Sequence, residues 1–157
     1  MNIKKLHLSV LILLVLVTES MFALNAELAG NQSAWGLSLP EAVTSFGACK
    51  EGGYIYVYGG HVGDAHVYSK ETHSKSFVRL DLKSKKKTWE KLPFNNPLQG
   101  FGMAARKGKV YISGGSQATN EDGDESNLSS LNKVSVFDIR KKRWSDLPSL
   151  PEPRSSH

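Results

Sequence analysis

A single cysteine, Cys49, stands among the 157 residues, so no intrachain disulfide can staple this chain. Small exported domains commonly lean on disulfides, so any core here has to be held by packing alone. Long apolar runs are scarce as well. The longest, Leu8-Ser9-Val10-Leu11-Ile12-Leu13-Leu14-Val15-Leu16-Val17, is ten residues, against the roughly 20 that a bilayer-spanning helix needs. The signatures of acyl-transfer, zinc-protease and phosphate-loop chemistry are missing too, with no Gly-x-Ser-x-Gly, no His-Glu-x-x-His and no Gly-rich loop ending in Lys-Ser/Thr. Strong charge imbalance is also lacking. A formal +5 is too mild to argue for nucleic acid, and no nucleic-acid partner is expected.

What is present begins with a leader. Lys4 and Lys5 precede the apolar run, a short polar stretch follows it, and small residues stand at Ala23 and Ala26. That order is the pattern of a secretory signal peptide, with cleavage expected after Ala23 or Ala26. An uncleaved anchor is the alternative. No cysteine directly follows the run, which excludes a bacterial lipoprotein. Residues 1–23 are therefore read as the signal peptide, and the mature protein is expected in the periplasm or secreted, with no stable membrane span. Cleavage after Ala23 lowers the formal charge from +5 to +4. Asn31-Gln32-Ser33 and Asn127-Leu128-Ser129 match the N-glycosylation pattern, which matters only in a eukaryote.

Downstream of the leader the sequence repeats. Phe46-Gly47 and Phe101-Gly102, Gly59-Gly60 and Gly114-Gly115, and Trp89 and Trp144 each lie 55 residues apart. A fixed spacing of that size signals stacked supersecondary units, none of which buries its apolar surface alone. Each copy reads as four short strands. In the first they are Ser45–Lys50, Tyr54–Tyr58, Phe77–Leu82 and the surroundings of Thr88-Trp89. In the second they are Phe101–Arg106, Val110–Ile112, Val134–Ile139 and Arg143-Trp144. Tyr54-Ile55-Tyr56-Val57-Tyr58 consists wholly of strand formers and does not alternate, so both of its faces need cover, as in a sheet sandwiched between neighbouring sheets. The Gly pairs end the second strand, where positive φ or close backbone approach is expected. Asp81 and Asp138 are placed to cap the next turn. The two Trp residues suit packing between adjacent sheets, and Cys49 reads as a small apolar strand residue.

These residues together resemble a kelch-repeat β-propeller. The match lies in Val57-Tyr58-Gly59-Gly60 and Ile112-Ser113-Gly114-Gly115, the later Trp89 and Trp144, and Val136-Phe137-Asp138; Leu80-Asp81 has Leu where an aromatic residue is usual. The resemblance implies an all-β fold, a partial propeller of two four-stranded antiparallel blades plus flanking strands. Repeat one spans 45–98, repeat two 99–150, and 151–157 looks like the start of a third. The lead-in 24–44 contains Trp35, which stands 11 residues before Phe46 much as Trp89 stands 12 before Phe101, so it suits the outer strand of a closing blade. Propellers close with typically 4–8 blades. The expectation is that this chain is part of a longer product, completed by further blades, or that copies associate to close the ring.

Function is then expected on the loops joining second to third strand, 61–75 and 116–132, and on the blade connections 93–100 and 148–154. His61, Asp64, His66 and His73 fall in the first loop, Asp122 and Asp124 in the second. His-x4-His on a loop lacks defined metal geometry, and the acidic loop lacks EF-hand spacing, so neither a metal nor any other cofactor is expected. Arg106 and Arg154 fall on or near innermost strands, where a guanidinium can grip a carboxylate or serve a structural ion pair. The basic turns Lys83, Lys85, Lys86, Lys87 and Arg140–Arg143 occupy equivalent places in the repeat. They read as solvated hairpins which, if the repeats stack, form a positive stripe along one rim. The expected function is an exported module binding a protein or a glycan through its loop face, without chemistry of its own. The alternatives come from the resemblance: the front part of an enzyme similar to the kelch-type sialic acid mutarotases, or a copper enzyme similar to galactose oxidase, for which Cys49 alone is slight support.

Overall fold

The computed structural model describes residues 37–156, so the leader, Ala23, Ala26, Asn31 and Trp35 lie outside the described residues. Leu39–His157 forms one compact unit, which carries all the strands among the described residues. Its architecture is all-β. β1 (Gly47–Glu51), β2 (Tyr54–Tyr58), β3 (Phe77–Asp81) and β4 (Trp89–Lys91) form one antiparallel sheet in chain order. β5 (Gly102–Arg106), β6 (Lys109–Ser113), β9 (Val134–Asp138) and β10 (Arg143–Leu147) form the second, likewise in meander order.

Turn chemistry sets these meanders. Gly52 and Gly53 (φ +57° and +87°) join β1 to β2, and Lys107 and Gly108 (φ +52° and +74°) join β5 to β6. Two consecutive positive-φ residues are what a two-residue hairpin of right-handed twist requires. Asp81 Oδ1 accepts from the backbone N–H of Lys83 at 2.8 Å, and Asp138 Oδ1 from that of Lys141 at 2.8 Å, so both third strands turn on a side-chain cap. At the other end Gly59, Gly60, Gly114 and Gly115 all have positive φ.

The blades pack face to face. On β2, Tyr54, Tyr56 and Tyr58 alternate toward the second sheet, and β3 adds Phe77. From the second sheet come Val110, Ile112, Phe137 and Trp144. Tyr56, Tyr58, Phe77 and Phe137 are at most 1% exposed, and burial of each such side chain contributes roughly 1.5–3 kcal/mol. Cys49 is half-buried on β1 against this cluster, and burial pushes its thiol up to about 11, so it packs as an apolar group. The opposite side of β2 and β3, with Val57 and Val78, is met by Leu39, Pro40 and Val43 of the lead-in. β2 is therefore covered on both faces, as its non-alternating sequence demands.

Backbone hydrogen bonds also link successive lead-ins. Gly100 N–H donates to Ser45 O at 2.9 Å, and Ser156 N–H donates to Gly100 O at 2.7 Å. Ser45, Gly100 and Ser156 share the same left-handed backbone, φ +52°, +57° and +57°. The segment after Pro151 thus repeats the geometry that opens the two blades.

The structure departs from the sequence reading at two places. The stretch 116–132, read as a loop, contains a hairpin of β7 (Ser116–Ala118) and β8 (Leu128–Ser130). Neither strand has an apolar pattern, and the pairing follows instead from the bridge between Gln99 and Ser116 that anchors its base. β10 runs on to Leu147, because Ser145, Asp146 and Leu147 find partners in Val136, Ser135 and Val134. The two Trp residues take equivalent positions, Trp89 opposite Leu80 and Trp144 opposite Phe137; Trp144 fills the space between the two blades, and Trp89 lies on the corresponding face of the first blade, away from the second sheet.

Candidate functional site

All the connections from second to third strand leave the sheets at the Gly-pair end, and they knit the blades together there. The turn 61–75 is held by bridges of His61 to Thr44 and to His73. It reaches across to the β7–β8 hairpin: Lys70 N–H donates to Asn120 O at 3.0 Å, Asn120 Nδ2 donates to Tyr68 O at 2.8 Å, and Lys70 pairs with Glu121.

His61 and His73, expected on the ligand face, are interior residues of this junction, 6% and 3% exposed. His61 Nε2 lies 2.8 Å from Val67 O, so this nitrogen carries the proton and donates. His73 Nε2 accepts the backbone N–H of Ala118 at 2.8 Å, a bond that only an unprotonated nitrogen can make. Desolvation, reinforced by His61, lowers the His73 pKa from its ordinary 6.5. His73 Nδ1 is buried and has no hydrogen-bond partner. Asp64 and His66 are exposed at the tip of the turn, and Asp122 and Asp124 are exposed around Gly123 in the hairpin turn. Among the described residues no three His, Cys, Asp or Glu side chains gather as a metal set.

The two arginines separate. Arg106 ends β5 opposite Lys109, at the hairpin-turn end and far along the strands from the loops. Arg154 is at the loop end, where its N–H donates to Leu131 O at 3.0 Å and its carbonyl accepts from Gly115 at 2.8 Å. Its side chain is exposed.

A concavity does occupy the loop face, and its side-chain amides belong to no sequence motif. A cleft of about 300 Å³ opens between the blade connection 93–100 and the segment joining β8 to β9. Leu98, Ile112 and Leu131 contribute its apolar wall, and Asn96, Gln117, Asn132 and Lys133 its polar groups. Tyr58 supports one side. Its hydroxyl donates to Asn96 O at 2.6 Å and accepts from Asn96 N–H at 2.9 Å, and burial pushes its pKa up to about 12. Tyr58 is therefore a neutral strut for the connection. Ser135 donates to Asp146 at 3.1 Å, and Lys133 Nζ lies 3.3 Å from the same carboxylate oxygen. Amides, hydroxyls and one ammonium above apolar side chains suit hydrogen bonding to a neutral polar ligand. The lining contains no pair of groups poised to exchange a proton.

Comparison with known proteins agrees with this architecture. Residues 97–151 match the family described as Kelch motif. Alpha-scruin of Limulus polyphemus is 37% identical over 59 residues, which is 38% of this chain and 6% of that protein. A solved structure titled "Structure of YjhT" superposes with a TM-score of 0.62 at 12% identity, over 76% of this chain and 36% of the other. The chain thus spans about a third of that structure's length and a small part of the scruin. With the repeat spacing, the two meander sheets and the Gly-pair turns, these matches make residues 97–151 a kelch motif and the two sheets blades of a kelch-type β-propeller.

Proposed function

We propose that this chain is part of an exported kelch-type binding module that takes a glycan, or a protein carrying one, in the cleft on its loop face. The observation that carries this reading is the lining of the 300 Å³ cleft by Asn96, Gln117 and Asn132 over Leu98, Ile112 and Leu131. Side-chain amides donate and accept at once, which matches sugar hydroxyls, and the apolar wall matches the C–H face of a sugar ring. Strands hold one member of each set, since Ile112 lies on β6 and Gln117 on β7.

The test is a neutral-glycan array probed with the full chain, comparing wild type with Gln117→Ala and Asn132→Ala. Glycans bound by wild type are expected to lose about tenfold in affinity for each lost pair of amide hydrogen bonds. Glycan binding left unchanged by both variants, or no glycan bound at all, overturns the reading.

A further inference from the structure

The hairpin-turn end of the blades, opposite the loop face, gathers three basic segments from distant parts of the sequence. Register shows why they converge. Arg106, Lys109, Asp138 and Arg143 lie in one cross-strand row at the end of the second blade. Glu51, Tyr54 and Asp81 form the corresponding row of the first. The two ends are tied to each other, since Gly108 N–H donates to Glu51 Oε1 at 2.8 Å and Lys142 Nζ reaches Glu90 Oε1 at 3.0 Å. Folding thus places the turn with Lys83, Lys85, Lys86 and Lys87, the turn with Arg106 and Lys107, and the turn Arg140–Arg143 on one surface.

The carboxylates at this end are committed to the fold. Asp81 and Asp138 cap their turns, Glu51 accepts from Gly108, and hydrogen bonds from Lys142 and then Arg79 hold the Glu90 carboxyl below its usual range. Among the cations, Lys142 is ion-paired, and Lys87 Nζ is occupied by the carbonyls of Asp81 and Leu82. Lys85, Lys86, Arg140 and Lys141 are exposed. A surface on which cations outnumber carboxylates across two blades attracts a polyanion along its length.

We propose that this face binds an acidic polysaccharide, a linear glycan bearing sulfate or carboxylate groups. The surface has three projecting turns and lies at the opposite end from the loop-face cleft, which matches an extended chain of spaced charges better than a compact anion. Insertion into a membrane interface calls for exposed aromatic and aliphatic anchors beside the cations, and Leu82 is the one exposed large apolar side chain on these turns among the described residues. Single-stranded nucleic acid calls for exposed aromatic platforms, which these turns do not offer.

The experiment uses immobilised heparin as the sulfated probe and the full chain as analyte. One variant combines Lys85→Gln, Lys86→Gln and Lys141→Gln. Its control, with the same change in charge, combines Lys70→Gln, Lys75→Gln and Arg154→Gln at the loop end. The turn variant is expected to bind about tenfold more weakly near physiological salt, where screening leaves only close charges effective, while the control stays near wild type. Equal weakening of both variants would show that net charge alone is responsible and would overturn the proposal. So would retention by vesicles containing phosphatidylserine, or by DNA, with no retention on heparin.

Discussion

Trp144 on the outer strand of the second blade donates its indole N–H to the carbonyl oxygen of Pro93, in the connection that leaves the first blade, at 2.7 Å. The same ring lies 5.5 Å from Tyr58, 5.5 Å from Phe77 and 5.2 Å from Phe137, measured between centroids. One side chain therefore fastens the second blade to both the core and the connection of the first. Trp144→Ala is expected to destabilise the fold by about 3 kcal/mol, the lower end for a large aromatic truncation because the residue is only half-buried. Trp144→Phe keeps part of the packing but orphans the Pro93 carbonyl, and about 1 kcal/mol of loss is expected. Urea unfolding checks both, and a wild-type midpoint for Trp144→Phe would refute the separate role of the hydrogen bond.

Acid is expected to loosen the junction of the two loops. The folded-state pKa of His73 lies below its ordinary 6.5, mainly through desolvation. In the window below 6.5 the unfolded chain therefore binds more protons than the folded one. Stability is full above that value and falls as pH drops toward the folded pKa, at no more than about 1.4 kcal/mol per pH unit for one proton. His73→Gln retains an acceptor for Ala118 N–H and removes the titration. Thermal melts between pH 7 and pH 5 should slope less steeply for this variant, and parallel slopes would refute the assignment.

Gly115 and Gly52 both have positive φ yet should respond differently to alanine. A Cβ on Gly115 would lie 2.7 Å from Phe101 Cβ and 3.1 Å from Gln99 O, whereas one on Gly52 meets nothing within 4 Å. Gly52→Ala is expected to cost about 1 kcal/mol, the backbone term alone. Gly115→Ala adds a steric clash between packed segments, with a total loss above about 2 kcal/mol. Denaturant midpoints that fall by the same amount would show that the close approach of the blade connection is immaterial.

Tyr58→Phe is expected to act on stability and on the cleft together. It leaves the N–H and carbonyl of Asn96 without the hydroxyl that satisfies both, a loss of about 1–3 kcal/mol. Because Asn96 lines the cleft, affinity for any glycan selected on the array should fall in the same variant. A stable variant with undiminished affinity would exclude Tyr58 as a support of the site.

Expression in a bacterium should yield a product outside the cytoplasm that has lost about 23 or 26 residues, as the leader pattern implies. N-terminal sequencing decides this, and a membrane-bound product beginning at Met1 would favour an anchor.

Much of the scaffold is legible in the one-dimensional pattern because it depends on local chemistry. The second strand Tyr54–Tyr58 is bounded by glycines on both sides, and its five strand-forming residues have no competing periodicity. The Asp caps and the Gly pairs act within a few residues of themselves, so Asp81, Asp138, Gly59 and Gly114 could be assigned from their neighbours alone. The 55-residue spacing then supplied the stacking.

The cleft was not legible, because Asn96, Gln117 and Asn132 belong to no motif and meet only when two connections cross. Nor was the role of His61 and His73. Their sequence spacing suggests loop ligands, yet burial and the N–H of Ala118, 45 residues away, make one of them an acceptor inside the fold. Sequence by itself determined the blades of this protein, since strand propensity, turn residues and repeat spacing are set over short distances. Tertiary structure alone decided which polar groups converge and which basic turns share a surface. Those outcomes depend on the register and packing of segments remote in the chain, which no local pattern encodes.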